Sequence, residues 1–173
     1  MMTRELREAR VKLRTDAYTK QIAQDALAVV GVCEPPVPIE DVVASLCIPV
    51  RPVDLPPFFT AATIYTDGLP VMVVNSARPQ VAQRDALAHM LGHVLLLLAD
   101  ESEGFPRQDF DHSDADKLAR ELIMPAGLVI EQSHMWFNDY RYLARLFAVS
   151  EGAMLDRMRE LRLVKSQGVT WDF

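Results

Sequence analysis

The sequence predicts an α+β fold, mainly helical, with one small antiparallel sheet packed beside a buried helix. Three observations lead there. Two β-rich runs, 60–66 and 70–74, flank Asp67-Gly68, a strong short-range hairpin signal. Apolar residues recur at helical spacing both before and after those runs. Between them and the C-terminal helices, Ala86 to Ala99 form an apolar stretch of fourteen residues. A membrane span needs about twenty, so this stretch reads as a helix buried inside a domain.

Taken in order, residues 16–30 place Ile22, Ala23, Ala26, Leu27 and Val30 on one helical stripe that stops at Gly31. Pro35-Pro36 breaks the chain, and Pro38 opens a short helix from Ile39 to Leu46 with Ile39, Val42, Val43 and Leu46 on one face. Residues 48–53 are a third extended candidate. Pro49, Pro52, Pro56 and Pro57 in and after it confine it to an edge or a loop. The long apolar helix runs from about Pro79 to Ala99, and the polar, acidic residues 100–113, broken by Gly104 and Pro106, read as a loop. Helical signals resume at Ser113-Asp114 and stop near Met124-Pro125. Two more helices, about 139–147 and 150–163, form a hairpin joined at Ala148-Val149-Ser150.

Composition narrows the function. With 50% hydrophobic residues in 173, the chain can bury a real core as one domain with at most a small appendage. A net charge of −6 argues against a role dominated by nucleic-acid binding, which needs a basic surface. Cys33 and Cys47 have no metal-type spacing and are expected as free thiols rather than a disulfide. The charged N-terminus (Arg4, Glu5, Arg7, Glu8, Arg10) is followed by no apolar segment and does not read as a secretory signal. A cytoplasmic protein without a membrane segment is expected.

The chemistry concentrates in Ala88-His89-Met90-Leu91-Gly92-His93. Residues i and i+4 of a helix share a face with Cβ atoms about 5–6 Å apart, close enough for two imidazoles to hold one metal ion. This is the metalloprotease pattern His-Glu-x-x-His with Met90 where the Glu stands. A buried imidazole also needs a partner, so a pair on an apolar helix is hard to read as packing alone. Ala99 stands six residues past His93, which excludes the three-histidine version of the motif. A third ligand must come from a later helix: His112, Asp114, Asp116 and Glu121 are the candidates. Asp114 also sits where a first-turn acid is expected for its own sake.

Three segments in order resemble the ImmA/IrrE metallopeptidases. They are Val73-Val74-Asn75, then Leu87-Ala88-His89-x-x-Gly92-His93, then Asp114-Ala115-Asp116-x-x-Ala119-x-x-Leu122-Ile123-Met124-Pro125. In that family a strand ending Val-Asn precedes a helix Ala-His-Glu-x-Gly-His. A later helix reads Glu-Ala-Asn/Asp-x-Phe-Ala-x-x-Leu-Leu-Met-Pro, and its first Glu completes a zinc site. Pro35-Pro36-Val37 and the helical turn Leu143 to Ser150 fit as well, so the resemblance extends over about residues 20–164. It implies a zincin-like domain at 16–135, preceded by an N-terminal arm at 1–15 and followed by a helix-turn-helix-like helical appendage at 136–173. It implies zinc, held by His89, His93 and Asp114, and a helix-turn-helix repressor as the partner.

Two departures fall at the chemistry. Asp114 is one methylene shorter than Glu but keeps the carboxylate, a good zinc ligand. Met90 takes the position of the family's general base, and a thioether has no useful basicity. Loss of a general base costs about 10²–10⁴ in rate, so impaired or lost proteolysis is expected. The competing readings are an active zinc peptidase with a substitute base from the acidic loop, such as Glu101, Glu103 or Asp111, none of which its spacing aims at the site, and a metal-free interaction module. His134, inside Ser133-His134-Met135-Trp136-Phe137, reads as packing in an aromatic patch. Residues 142–164 have the length of a helix-turn-helix with Arg157, Arg159, Arg162 and Lys165 near its end. Interleaved Asp156 and Glu160 argue against DNA reading by it.

Overall fold

In the computed structural model, residues 4–103 and 112–164 are described, with side chains for 16–99 and 112–164. Helix α1 (Arg4–Val29) runs without a break past residue 15 and buries Thr19, Ala23 and Leu27 along one stripe. After the proline break, α2 (Ile39–Ser45) starts directly behind Pro38 and buries Ile39, Val42 and Val43. Cys33 and Cys47 are exposed and free.

Three strands follow: β1 (Val50–Val53), β2 (Ala61–Thr66) and β3 (Leu69–Asn75). The β2–β3 hairpin closes at Asp67 and Gly68, both at positive φ (51° and 80°), the pair of left-handed residues that a tight two-residue hairpin requires. Its register runs from Thr66 opposite Leu69 to Ala61 opposite Val74. The sheet is mixed rather than purely antiparallel, because β1 pairs parallel with β3 and the order is β1-β3-β2. The hairpin folds β3 back between its neighbours, so β3 runs alongside β1 in the same direction. Pro52 is accommodated because β1 is an edge strand. Met72 and Val74 point from β3 into the core, as the period of two dictates.

Asn75, at the end of β3, is fully buried and organises the loop between β1 and β2. Its Oδ1 accepts from the amides of Leu55 (3.2 Å) and Ala77 (3.0 Å). Its Nδ2 donates to the carbonyls of Leu55 (3.0 Å), Pro56 (3.3 Å) and Phe59 (2.8 Å). Removing that amide orphans several backbone groups at once. Asn75→Ala is therefore expected to lower stability by about 2–4 kcal/mol, read as a shift in the urea midpoint. A midpoint within experimental error of wild type would show that water replaces the network without cost.

Helix α3 (Gln80–Glu103) is the long apolar helix. It packs against α1, α2, β2, β3 and α4 (His112–Ile123), burying Leu87, Ala88, Met90, Leu91, Val94, Leu95 and Leu96, while Leu97 and Leu98 reach solvent. Arg84 ties it to α2 by donating to Val37 O (2.7 Å) and Glu40 Oε2 (3.1 Å). At Gly92 the two helices nearly touch: a Cβ there would lie 2.7 Å from the Ala115 carbonyl oxygen. Glycine is required by that approach and not by its backbone angles.

Beyond α4 come α5 (Ala126–Met135), α6 (Tyr140–Phe147) and α7 (Glu151–Glu160). Helix α5 has no counterpart among the sequence expectations, because its residues carry no helical stripe and only Val129 and Ser133 are buried. Asp139 caps α6 by accepting from the amides of Arg141 and Tyr142, Ala148 ends it in the left-handed region, and Ser150 caps α7. Arg157 of α7 is 2% exposed. It pairs with Glu121 Oε2, donates to Met124 O (3.0 Å), and so locks α7 onto the end of α4. Among the described residues no helix is long and apolar enough to cross a membrane.

Candidate metal centre

The register of α3 sets His89 and His93 one turn apart on the face turned toward α4, flanking Gly92. Their Nε2 atoms lie 3.2 Å apart. His112, the first residue of α4, brings a third ring against both, with centroids 4.7 Å from each. One nitrogen from each of the three rings lies within 4.8 Å of the others. The rings are partly open to solvent: His89 and His93 are half-buried and His112 is exposed. Burial, reinforced by the positive charge His89 and His112 would carry, holds the His93 imidazole below its ordinary value, with Asp116 pulling the other way. A His93 kept neutral is in the form that binds a metal.

The residues expected as further ligands have distinct surroundings. Asp116 Oδ1 lies 2.8 Å from His89 Nδ1. Asp114 is 6% exposed, and its Oδ1 takes Lys117 Nζ at 3.1 Å. Lys117 in turn reaches Asp16 of α1 at 2.8 Å, the main cause of its raised pKa. Glu121 is committed to Arg157 and to the Ala126 amide (3.0 Å). Among the described residues, the group of side chains arranged to share a metal ion is His89, His93 and His112. Met90 is 6% exposed within the apolar core. His134 is exposed on α5, near Trp136, which stacks on Tyr142 at 4.3 Å between ring centroids. The side chains of Glu101, Glu103, Asp111 and Lys165 lie outside the described residues.

Three imidazole nitrogens crowded around one point form a donor set suited to zinc, leaving a further position for water or substrate. Residues 44–159 match the family model described as the IrrE N-terminal-like domain of the M78 peptidases. The chain belongs to this family. Within the IrrE N-terminal-like domain thus defined lie the whole sheet, the helix carrying His89 and His93, and α4 through α6. A solved structure described as a Mycobacterium tuberculosis transcriptional regulator shares the fold, with a TM-score of 0.62 at 16% identity. The superposition covers 91% of this chain and 49% of that one, so the chain spans about half the regulator's length. None of the curated proteins matches the sequence. His112 is among the candidates the sequence offers, whereas the family pattern points to Asp114 as the third ligand. The spacing of His112 and Asp116, i and i+4 like His89 and His93, is the signal that links α4 to the pair.

Proposed function

We propose that this IrrE-like protein binds zinc and a helix-turn-helix regulatory protein in the cytoplasm, and that its capacity to hydrolyse peptides is impaired or lost. The observation that carries the reading is the convergence of His89, His93 and His112 from two helices onto one point. These three would hold the ion. When bound, it would polarise a carbonyl and acidify a water molecule. Burial of His93 keeps one ligand deprotonated at neutral pH. Met90 stands where the family places its proton-accepting Glu, and its thioether accepts no proton, so the step that completes hydrolysis lacks its base. What remains is a recognition surface built around a metal site. The family membership supports a regulatory protein of the helix-turn-helix type as the partner, as the resemblance implies. The acidic net charge and the burial of Arg157 weigh against direct DNA reading by the C-terminal helices.

Metal analysis of the purified, zinc-loaded and dialysed protein tests this. About one zinc per chain is expected; His89→Ala and His93→Ala should abolish uptake, and His134→Ala should not. His112→Ala and Asp114→Ala distinguish the two third donors: greater loss in the first supports the histidine trio, greater loss in the second the family's carboxylate position. Uptake should hold at pH 7 and fall on acidification, as protons compete with the metal for the imidazole nitrogens. Wild-type protein that stays metal-free would overturn the reading in favour of a metal-free interaction module.

A further inference from the structure

We infer that Asp116 is a positioning residue of the metal site, fixing His89 in the tautomer that turns Nε2 toward His93 and His112. The inference rests on the metal reading above and adds a role for a residue outside the ligand trio.

The geometry is specific. His89 has two ring nitrogens, and only one can face the point shared with the other rings. Its Nε2 is the atom 3.2 Å from His93 Nε2, and its Nδ1 is the atom 2.8 Å from Asp116 Oδ1. A carboxylate offers only acceptors, so the hydrogen of this contact must sit on Nδ1. A neutral imidazole carrying its hydrogen on Nδ1 has its lone pair on Nε2, the form that donates to a metal. The carboxylate also makes that nitrogen a stronger donor, and such outer partners are worth about 10–100-fold in metal affinity.

The placement follows from helix register. Asp116 is one turn beyond His112 on α4, as His93 is one turn beyond His89 on α3. The two facing pairs share a level because Gly92 lets α4 approach at Ala115. Asp116 is half-exposed (55%), which fits a role toward His89 better than one in the core. Asp114, two residues earlier, is by contrast buried and held by Lys117.

The test compares wild type with Asp116→Ala, Asp116→Asn and the control Asp156→Ala, a surface acid paired with its helix neighbour Arg159. Zinc affinity is measured by competition with a chromophoric chelator, and the His89 tautomer by imidazole nitrogen NMR on the metal-free protein. Asp116→Ala should weaken zinc by about 10–100-fold and lose the Nδ1–H signature. Asp116→Asn, which still presents an acceptor oxygen, should recover part of both, and Asp156→Ala should match wild type. Unchanged affinity and an unchanged tautomer in Asp116→Ala would overturn the inference while leaving the metal site standing. A wild-type protein with no zinc affinity would instead overturn the metal reading and this inference with it.

Discussion

Replacing Met90 with Glu is expected to raise zinc-dependent cleavage of a helix-turn-helix repressor by about 10²-fold or more over wild type. The variant restores a proton acceptor at the position next to His89 and three residues before His93, completing the metallopeptidase pattern. Met90 is 6% exposed, so the new carboxylate enters an environment that disfavours its charge and raises its pKa. A general base gains from such a shift as long as it stays below the working pH. The same burial threatens stability, so thermal melting must accompany the assay. The double variant Met90→Glu/His93→Ala should return the rate to background. The gain will be smaller if groups that position substrate have changed as well. Wild-type cleavage equal to that of Met90→Glu, and equally zinc-dependent, would show that another side chain serves as base.

Arg157→Ala is expected to cost about 3–5 kcal/mol of stability, the largest effect among simple truncations here. The guanidinium pairs with the buried Glu121 carboxylate and the Met124 carbonyl, and also reaches Glu160 at 3.1 Å. Its loss strands a charge inside the protein at the junction of α4, α5 and α7. Arg159→Ala, which removes a surface pair with Asp156, should change stability by no more than about 0.5 kcal/mol. Urea denaturation of both variants at neutral pH checks the contrast. Equal midpoints would mean that the buried pair contributes no more than an exposed one.

Local chemistry made some parts legible in the sequence and long-range contacts hid the rest. Asp67-Gly68 specifies its hairpin because the turn's backbone angles favour those residues. The helix of His89 and His93 is legible because its apolar length leaves no other reading. The parallel pairing of β1 with β3 is invisible locally, since it depends on where the β2 hairpin folds back. Helix α5 escapes because it buries two side chains and needs no stripe to do so. At the site, the pair on α3 follows from spacing, whereas the surroundings of Asp114 depend on Lys117 and on Asp16, which lies 101 residues from Lys117 in the chain. A motif aligned residue by residue carries no information about such a competitor for a carboxylate.

Gly92 gives the site a mechanical character. It touches none of the three imidazoles' ring nitrogens by chemistry of its own, since it has no side chain, yet it sets the gauge between the two helices that supply them. A single added methyl group would meet the Ala115 carbonyl, a piece of backbone that cannot swing aside as a side chain would. To make room, α4 would have to slide or tilt as a rod, taking His112 and Asp116 away together. The jaws of a caliper are useful only at one opening, and here the opening is fixed by an atom that is absent.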